Sequence, residues 1–180
     1  MLKRKAMVFW PVAAMLLLAD CSTKQVAAER LEYEYVPHEV IGDVVRFTLA
    51  YNPGAAFSLS LGEHSRWIFS SLAFAVILFL YLQYRRADAN DESSALAIGL
   101  VVAGAGGNLL DRLRSPRGVV DFIDIGYGDI RFWTFNLADV AVTTGALLLA
   151  LLLIRRERDE AAHLAGADPA LVVAPNEPSQ

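Results

Sequence analysis

Four apolar runs, Ala6–Ala19, Trp67–Leu82, Ala95–Leu110 and Leu137–Ile154, divide the chain, and charged or amide residues sit at their edges. A helix that crosses a bilayer needs roughly 20 predominantly apolar residues, so each run must borrow neighbours such as Tyr84 or Ser94. The pattern predicts membrane helices over residues 6–19, 67–84, 94–110 and 137–154. The polar edges are unevenly placed. The first run leads into Asp20 and Lys24, the third ends at Asn108, Asp111 and Arg112, and the fourth begins Asn136-Leu-Ala-Asp139. An even number of spans returns both termini to one side, so these three polar ends share the opposite face.

The loops carry a second period. Leu31-Glu-Tyr-Glu-Tyr35 and Val44-Val-Arg-Phe-Thr-Leu-Ala-Tyr51 alternate and are rich in β-branched or aromatic residues, which predicts strands. The second run stops at Asn52-Pro53-Gly54, a turn signal. The expected architecture is an all-α membrane protein of four transmembrane helices, with a small extracytoplasmic β element over residues 29–61. Gly99, Gly104, Gly106 and Gly107 among the alanines of the third run allow close helix approach, with packing alone a sufficient reason for them. Residues 155–180, charged and then Ala/Pro-rich, are expected to form a disordered cytoplasmic tail.

Composition agrees with a membrane location, with 55% hydrophobic residues among 180 and a mean hydropathy of +0.38. A formal net charge of -4 leaves no basic field for a nucleic-acid partner. Cys21 is the single cysteine, and His38, His64 and His163 are scattered, so neither a disulfide nor zinc spacing is present. Lys3-Arg4-Lys5, Arg85-Arg86 and Arg155-Arg156 lie directly beside helix ends on the terminal side. Lys and Arg totals tie across the two sides, and this density places both termini in the cytoplasm. Trp10, Trp67, Trp133, Tyr81 and Tyr84 fall near helix ends, where amphipathic rings prefer the interface.

A carboxylate at the hydrocarbon edge costs about 2.5–3.5 kcal/mol on insertion scales, so Asp139 calls for a reason. Asp121, in Gly118-Val-Val-Asp-Phe122, lies between apolar neighbours in the loop that returns to the membrane. Two carboxylates meeting at one interface share a proton near neutral pH, the arrangement that suits aspartic proteolysis. Either Asp alone could equally cap a helix or pair with Arg112. Arg112 in turn could snorkel into the headgroups. Asn52, Asn108 and Asn136 could hold carboxylates or an extended peptide, and could equally serve as caps and turns.

Five ordered blocks go further. Asp20-Cys-Ser-Thr-Lys24, Tyr51-Asn-Pro-Gly-Ala-Ala-Phe57, Gly107-Asn-Leu-Leu-Asp-Arg112, Gly118-Val-Val-Asp-Phe-Ile123 and Phe135-Asn-Leu-Ala-Asp139 closely resemble the lipoprotein signal peptidase family, signal peptidase II. The resemblance runs from residue 7 to 154. It implies an aspartic endopeptidase of the bacterial inner membrane that removes the signal peptide of diacylglyceryl prolipoproteins before the lipidated cysteine. Asp121 and Asp139 match the catalytic pair, and Asn52, Gly54, Asn108, Arg112 and Asn136 match positions that line the cleft. Asp20 and Lys24 would give structural support or cleft electrostatics, and Asp111 would brace Arg112. The active site would face the periplasm, with membrane phospholipid around a monomer and neither cofactor nor metal. The loop Asn52–Phe57 would close over the scissile bond as a lid. Cys21, Pro53 and Ala103 depart from the family pattern, and Pro53 could reshape the turn that presents Asn52.

Rival readings fit less well. Leu18-Ala-Asp-Cys21 imitates a lipobox, but Asp20 is not the small residue such a site needs. Gly126-Tyr-Gly-Asp129 imitates an intramembrane protease motif, yet lies in a polar loop, and Val101–Gly107 has incomplete spacing for a nucleotide loop. A non-enzymatic small channel or transporter would line a path across the bilayer with its charges, whereas here they gather at one face.

Overall fold

A computed structural model describes residues 3–53 and 64–166. Four helices are long and apolar enough to cross a membrane: α1 (Arg4–Arg30), α2 (Ser65–Arg86), α3 (Glu92–Arg114) and α4 (Leu137–Gly166). Half of the apolar window of α3 is buried, against 11%, 11% and 17% for α1, α2 and α4, so α3 is the central post to which the others pack. Its small residues permit this. A Cβ at Gly104 would collide with the Ala138 carbonyl of α4, so the backbones of α3 and α4 meet there without a side chain between them. At the opposite end Phe9 stacks on Tyr84 at 4.1 Å, and buried Lys5 donates to the Tyr84 and Ala87 carbonyls at 2.8 and 2.5 Å, closing the C-terminus of α2.

The helices overrun their expected lengths at the polar end. At about 1.5 Å per residue, α1 measures about 40 Å against a hydrocarbon layer of about 30 Å, so its last turns stand clear of it. Gln25 donates to Glu29 at 2.9 Å, supporting those turns. The overrun consumes residues 29–30 of the expected β element. Leu31–Tyr35 is a bend and turn with positive φ at Glu32 and Tyr35, and it is not the strand that its alternation suggested. Tyr33 and Tyr35 are exposed, and the segment makes a single bond to the sheet, from the Tyr35 amide to the Leu49 carbonyl of β2 at 2.9 Å, so alternation alone does not build a ladder there. At the opposite end α4 continues through residues 155–166, part of the segment expected as a disordered tail, because its charges fall on an uninterrupted run of helix formers.

The β element draws on both loops at the polar end, the one between α1 and α2 and the one between α3 and α4. Its antiparallel sheet has the order β1 (Pro37–Ile41), β2 (Val45–Asn52), β3 (Val119–Tyr127), β4 (Ile130–Arg131). The register slips between Phe47 and Ala50 on β2, where the Phe122 and Ile123 amides both donate to the Phe135 carbonyl. This bulge sorts the faces. Arg46, Thr48 and Asn52 alternate onto one side and meet Asp124 and Asp121 there. Leu49, Phe122 and Ile123 pack on the other against Ala27 and Leu31 of α1.

Candidate active site

The polar ends of α1, α3 and α4 converge where Gly107 lets α3 approach Asp20: a Cβ on Gly107 would strike the Asp20 carboxylate. Asp20 and Lys24 stand one turn apart on α1 and pair at 2.8 Å, both almost wholly buried. Lys24 Nζ also meets Asp111 Oδ2 at 3.0 Å and donates to Asn108 Oδ1 at 2.8 Å, so one ammonium joins α1 to α3 through three partners. A buried ammonium is tolerable only when its protons are satisfied in this way. Asp20 Oδ1 accepts from the Ala138 amide at 2.9 Å, placing a carboxylate at the N-terminus of α4, where the helix dipole favours it.

Asp139 is fixed from two sides. Asn136 precedes α4 and forms a reciprocal cap with it. The Asp139 amide donates to Asn136 Oδ1 at 3.0 Å, and the Asn136 amide donates to Asp139 Oδ2 at 3.2 Å. Asn108 Nδ2 donates to Asp139 Oδ1 at 2.8 Å. Asn136 Nδ2 donates to Asp121 Oδ1 at 2.6 Å, and the two side-chain amides approach each other at 3.2 Å. The two carboxylates are thus linked through the Asn136 and Asn108 amides, with Asn52 supplying a further hydrogen bond to Asp121. Burial, helped by the charge of Asp139, pushes the Asp121 carboxyl up to about 7 against the opposing pull of Asn136, Asn52 and Lys24.

Arg112 completes the cluster. Its guanidinium lies 5.8 Å from the Phe69 ring and feels the charges of Asp139, Asp121 and Asp111. Its Nε is buried with no hydrogen-bond partner among the described residues, and its only side-chain bond there is a long one of 3.4 Å to the Asn108 carbonyl. Asp111 spends its carboxylate on Lys24 and on the Val120 amide, at 3.0 and 3.3 Å, rather than on Arg112 as expected. Arg66 of α2 braces Arg112 instead, donating from Nε to its carbonyl at 2.6 Å. Sequence reasoning missed Arg66, whose only signal was a cation at the start of an apolar run. Gly54 and Phe57, and with them the expected lid, lie outside the described residues. Asp129 stands exposed on the turn between β3 and β4, remote from this cluster in the sheet order.

A family model described as signal peptidase (SPase) II matches residues 12–155. Fold and match together define a multi-pass membrane peptidase. A Coxiella burnetii protein named lipoprotein signal peptidase is 35% identical over 160 residues, covering 86% of this chain and 96% of its own. A Pseudomonas paraeruginosa protein of the same name is 39% identical over 159 residues, covering 86% and 92%. A solved structure described as a bacterial membrane enzyme superposes with a TM-score of 0.71 at 28% identity, covering 82% of this chain and 88% of that one. The chain belongs to the signal peptidase II family, of the bacterial inner membrane.

Proposed function

We propose that this protein removes signal peptides from diacylglyceryl prolipoproteins by aspartic catalysis at Asp121 and Asp139. The observation that carries the reading is the amide-bridged carboxylate pair, in which Asp121 holds a proton up to about pH 7. The protonated Asp121 polarises the scissile carbonyl, and the Asp139 carboxylate takes a proton from water as its oxygen attacks the carbonyl carbon. Collapse of the gem-diol breaks the C–N bond. The proton on Asp139 passes to the departing nitrogen and Asp121 recovers its own, leaving a carboxylic acid on the signal peptide and an amine on the lipidated cysteine. Arg112, whose Nε has no partner among the described residues, and Asn52 hold the extended peptide, and Gly54, two residues beyond Asn52 in the sequence, is assigned to the same cleft. Asp20, Lys24 and Asp111 fix the three helix ends, while Asn108 and Asn136 orient the pair.

Lys3, Arg4, Lys5, Arg85, Arg86, Arg155 and Arg156 support an orientation with both termini in the cytoplasm and the pair at the periplasmic face. The enzyme acts as a monomer among membrane phospholipids. Gel-shift processing of a diacylglyceryl prolipoprotein by the purified protein, beside folded Asp121→Asn and Asp139→Asn, tests the assignment. Cleavage lost in both variants is the expected result, and cleavage retained in either would reassign the chemistry.

A further inference from the structure

A second feature at the same end of α1 has no part in this chemistry. Between the last turns of α1 and the apolar face of the sheet lies an open cleft of about 300 Å³, lined by Val26, Ala27, Leu31, Phe47 and Phe122, with Arg30 at its edge. Its walls are almost entirely apolar, and Phe122 adjoins Asp121 on β3.

The helical period tells what the cleft opens toward. Met15, Leu18, Ser22 and Val26 follow one another at three- and four-residue steps along one stripe of α1. Met15 and Leu18 are exposed within the membrane-spanning part of the helix, so that stripe faces lipid. Asp20 and Lys24 occupy the opposite side. The cleft therefore borders the lipid-facing stripe of α1 along one wall, at Ser22 and Val26, near the level where the helix leaves the hydrocarbon, while buried Ala27 and Leu31 line its inner side. Arg30 lies one helical turn beyond Val26, exposed, and none of the described carboxylates is within ion-pair distance of it. An apolar slot that runs out of the acyl region and ends at an unpaired guanidinium matches a phospholipid, whose chain fills the slot while its phosphate meets the arginine.

We propose that this cleft binds one phospholipid of the surrounding leaflet, with an acyl chain against Val26, Phe47 and Phe122 and the phosphate on Arg30. The bound chain backs the strand that carries Asp121, on the face opposite the carboxylate. The site belongs to the membrane surface of the protein, and its occupancy is measurable without any cleavage assay.

The test uses the full chain, delipidated in a mild detergent, with phosphatidylglycerol as the probe. Native mass spectrometry is expected to show one retained phosphatidylglycerol, and thermal unfolding is expected to rise saturably as that lipid is added. Arg30→Ala should weaken the apparent affinity about fivefold, the contribution of one cation beside an anionic lipid surface. Ser22→Trp, which places an indole across the mouth from an exposed position, should abolish the saturable shift while the lipid-free unfolding temperature stays put. Absence of a saturable response in the wild type, or equal affinity in the wild type and both variants, would overturn the proposal. A wild type that responds only to a soluble peptide or another protein, and not to phospholipid, would overturn it as well.

Discussion

Asp121 and Asp124 lie on the same face of the same strand, and both are nearly closed to water, at 4% and 5% exposure. They nevertheless titrate in opposite directions. Asp124 sits just beneath the sheet surface and accepts from two guanidiniums, Arg46 at 3.0 Å and Arg131 at 2.7 Å, and from the Thr48 hydroxyl at 3.0 Å. These partners outweigh its burial and hold its carboxyl below the usual range. Asp121 lies deeper, beside α4, where burial and the charge of Asp139 outweigh the neutral amides that donate to it and the more distant Lys24, so the acid form persists. Exposure does not separate a carboxylate held ionised from one that keeps its proton. The charge of its hydrogen-bond donors does.

The sharpest way to break this contrast is to remove each acid. Asp121→Asn should lower cleavage by at least about 100-fold, measured as turnover of a lipidated precursor. Its effect on stability should run the other way. A carboxyl whose folded pKa is raised costs stability as pH climbs from about 4 toward 7, so the variant should unfold at a higher temperature than the wild type at pH 8, and the advantage should vanish near pH 4.

Lys24→Met comes next. It leaves Asp20 and Asp111 buried without their cation, and should cost about 3–5 kcal/mol in unfolding experiments in detergent. Asp124→Asn should cost less, about 1–3 kcal/mol at neutral pH. Because the Asp124 carboxyl is held low, its contribution is present above about pH 4 and fades as the pH falls through its depressed value, so the variant and the wild type should converge in acid. The smallest effect belongs to Arg66→Ala. Loss of its bond to the Arg112 carbonyl, worth about 1 kcal/mol, should reduce kcat/KM about fivefold while leaving the pH profile in place.

The pair and its asparagines were legible in the sequence because ionisable and amide groups beside apolar runs are expensive and therefore conspicuous. The pairing of Asp20 with Lys24 was not, because the first helix was expected to end at Ala19 and in fact continues to Arg30. Other features depended on distant segments. β2 pairs with β3 across the whole of α2 and α3, so the alternation in Val119–Tyr127 looked like part of a connecting loop. Leu31–Tyr35 showed the opposite failure, a strand-like alternation that makes one backbone bond to β2 and no ladder. The Asp124 network and the brace from Arg66 were illegible for the same reason, since each joins residues whose only common property is their final position.

The ion pair in α1 also bears on how such a protein is made. Asp20 and Lys24 enter the membrane early, long before Asn108, Asp111 and the Ala138 amide have been synthesised. Within a single helical turn they neutralise each other, so the first span can settle in the bilayer without waiting for its later partners. The second carboxylate of the proposed catalytic pair arrives with the last helix, and only then does Asp20 find the amide of Ala138. A nascent chain halted before α4 would therefore be a membrane protein already, but a proteolytically silent one.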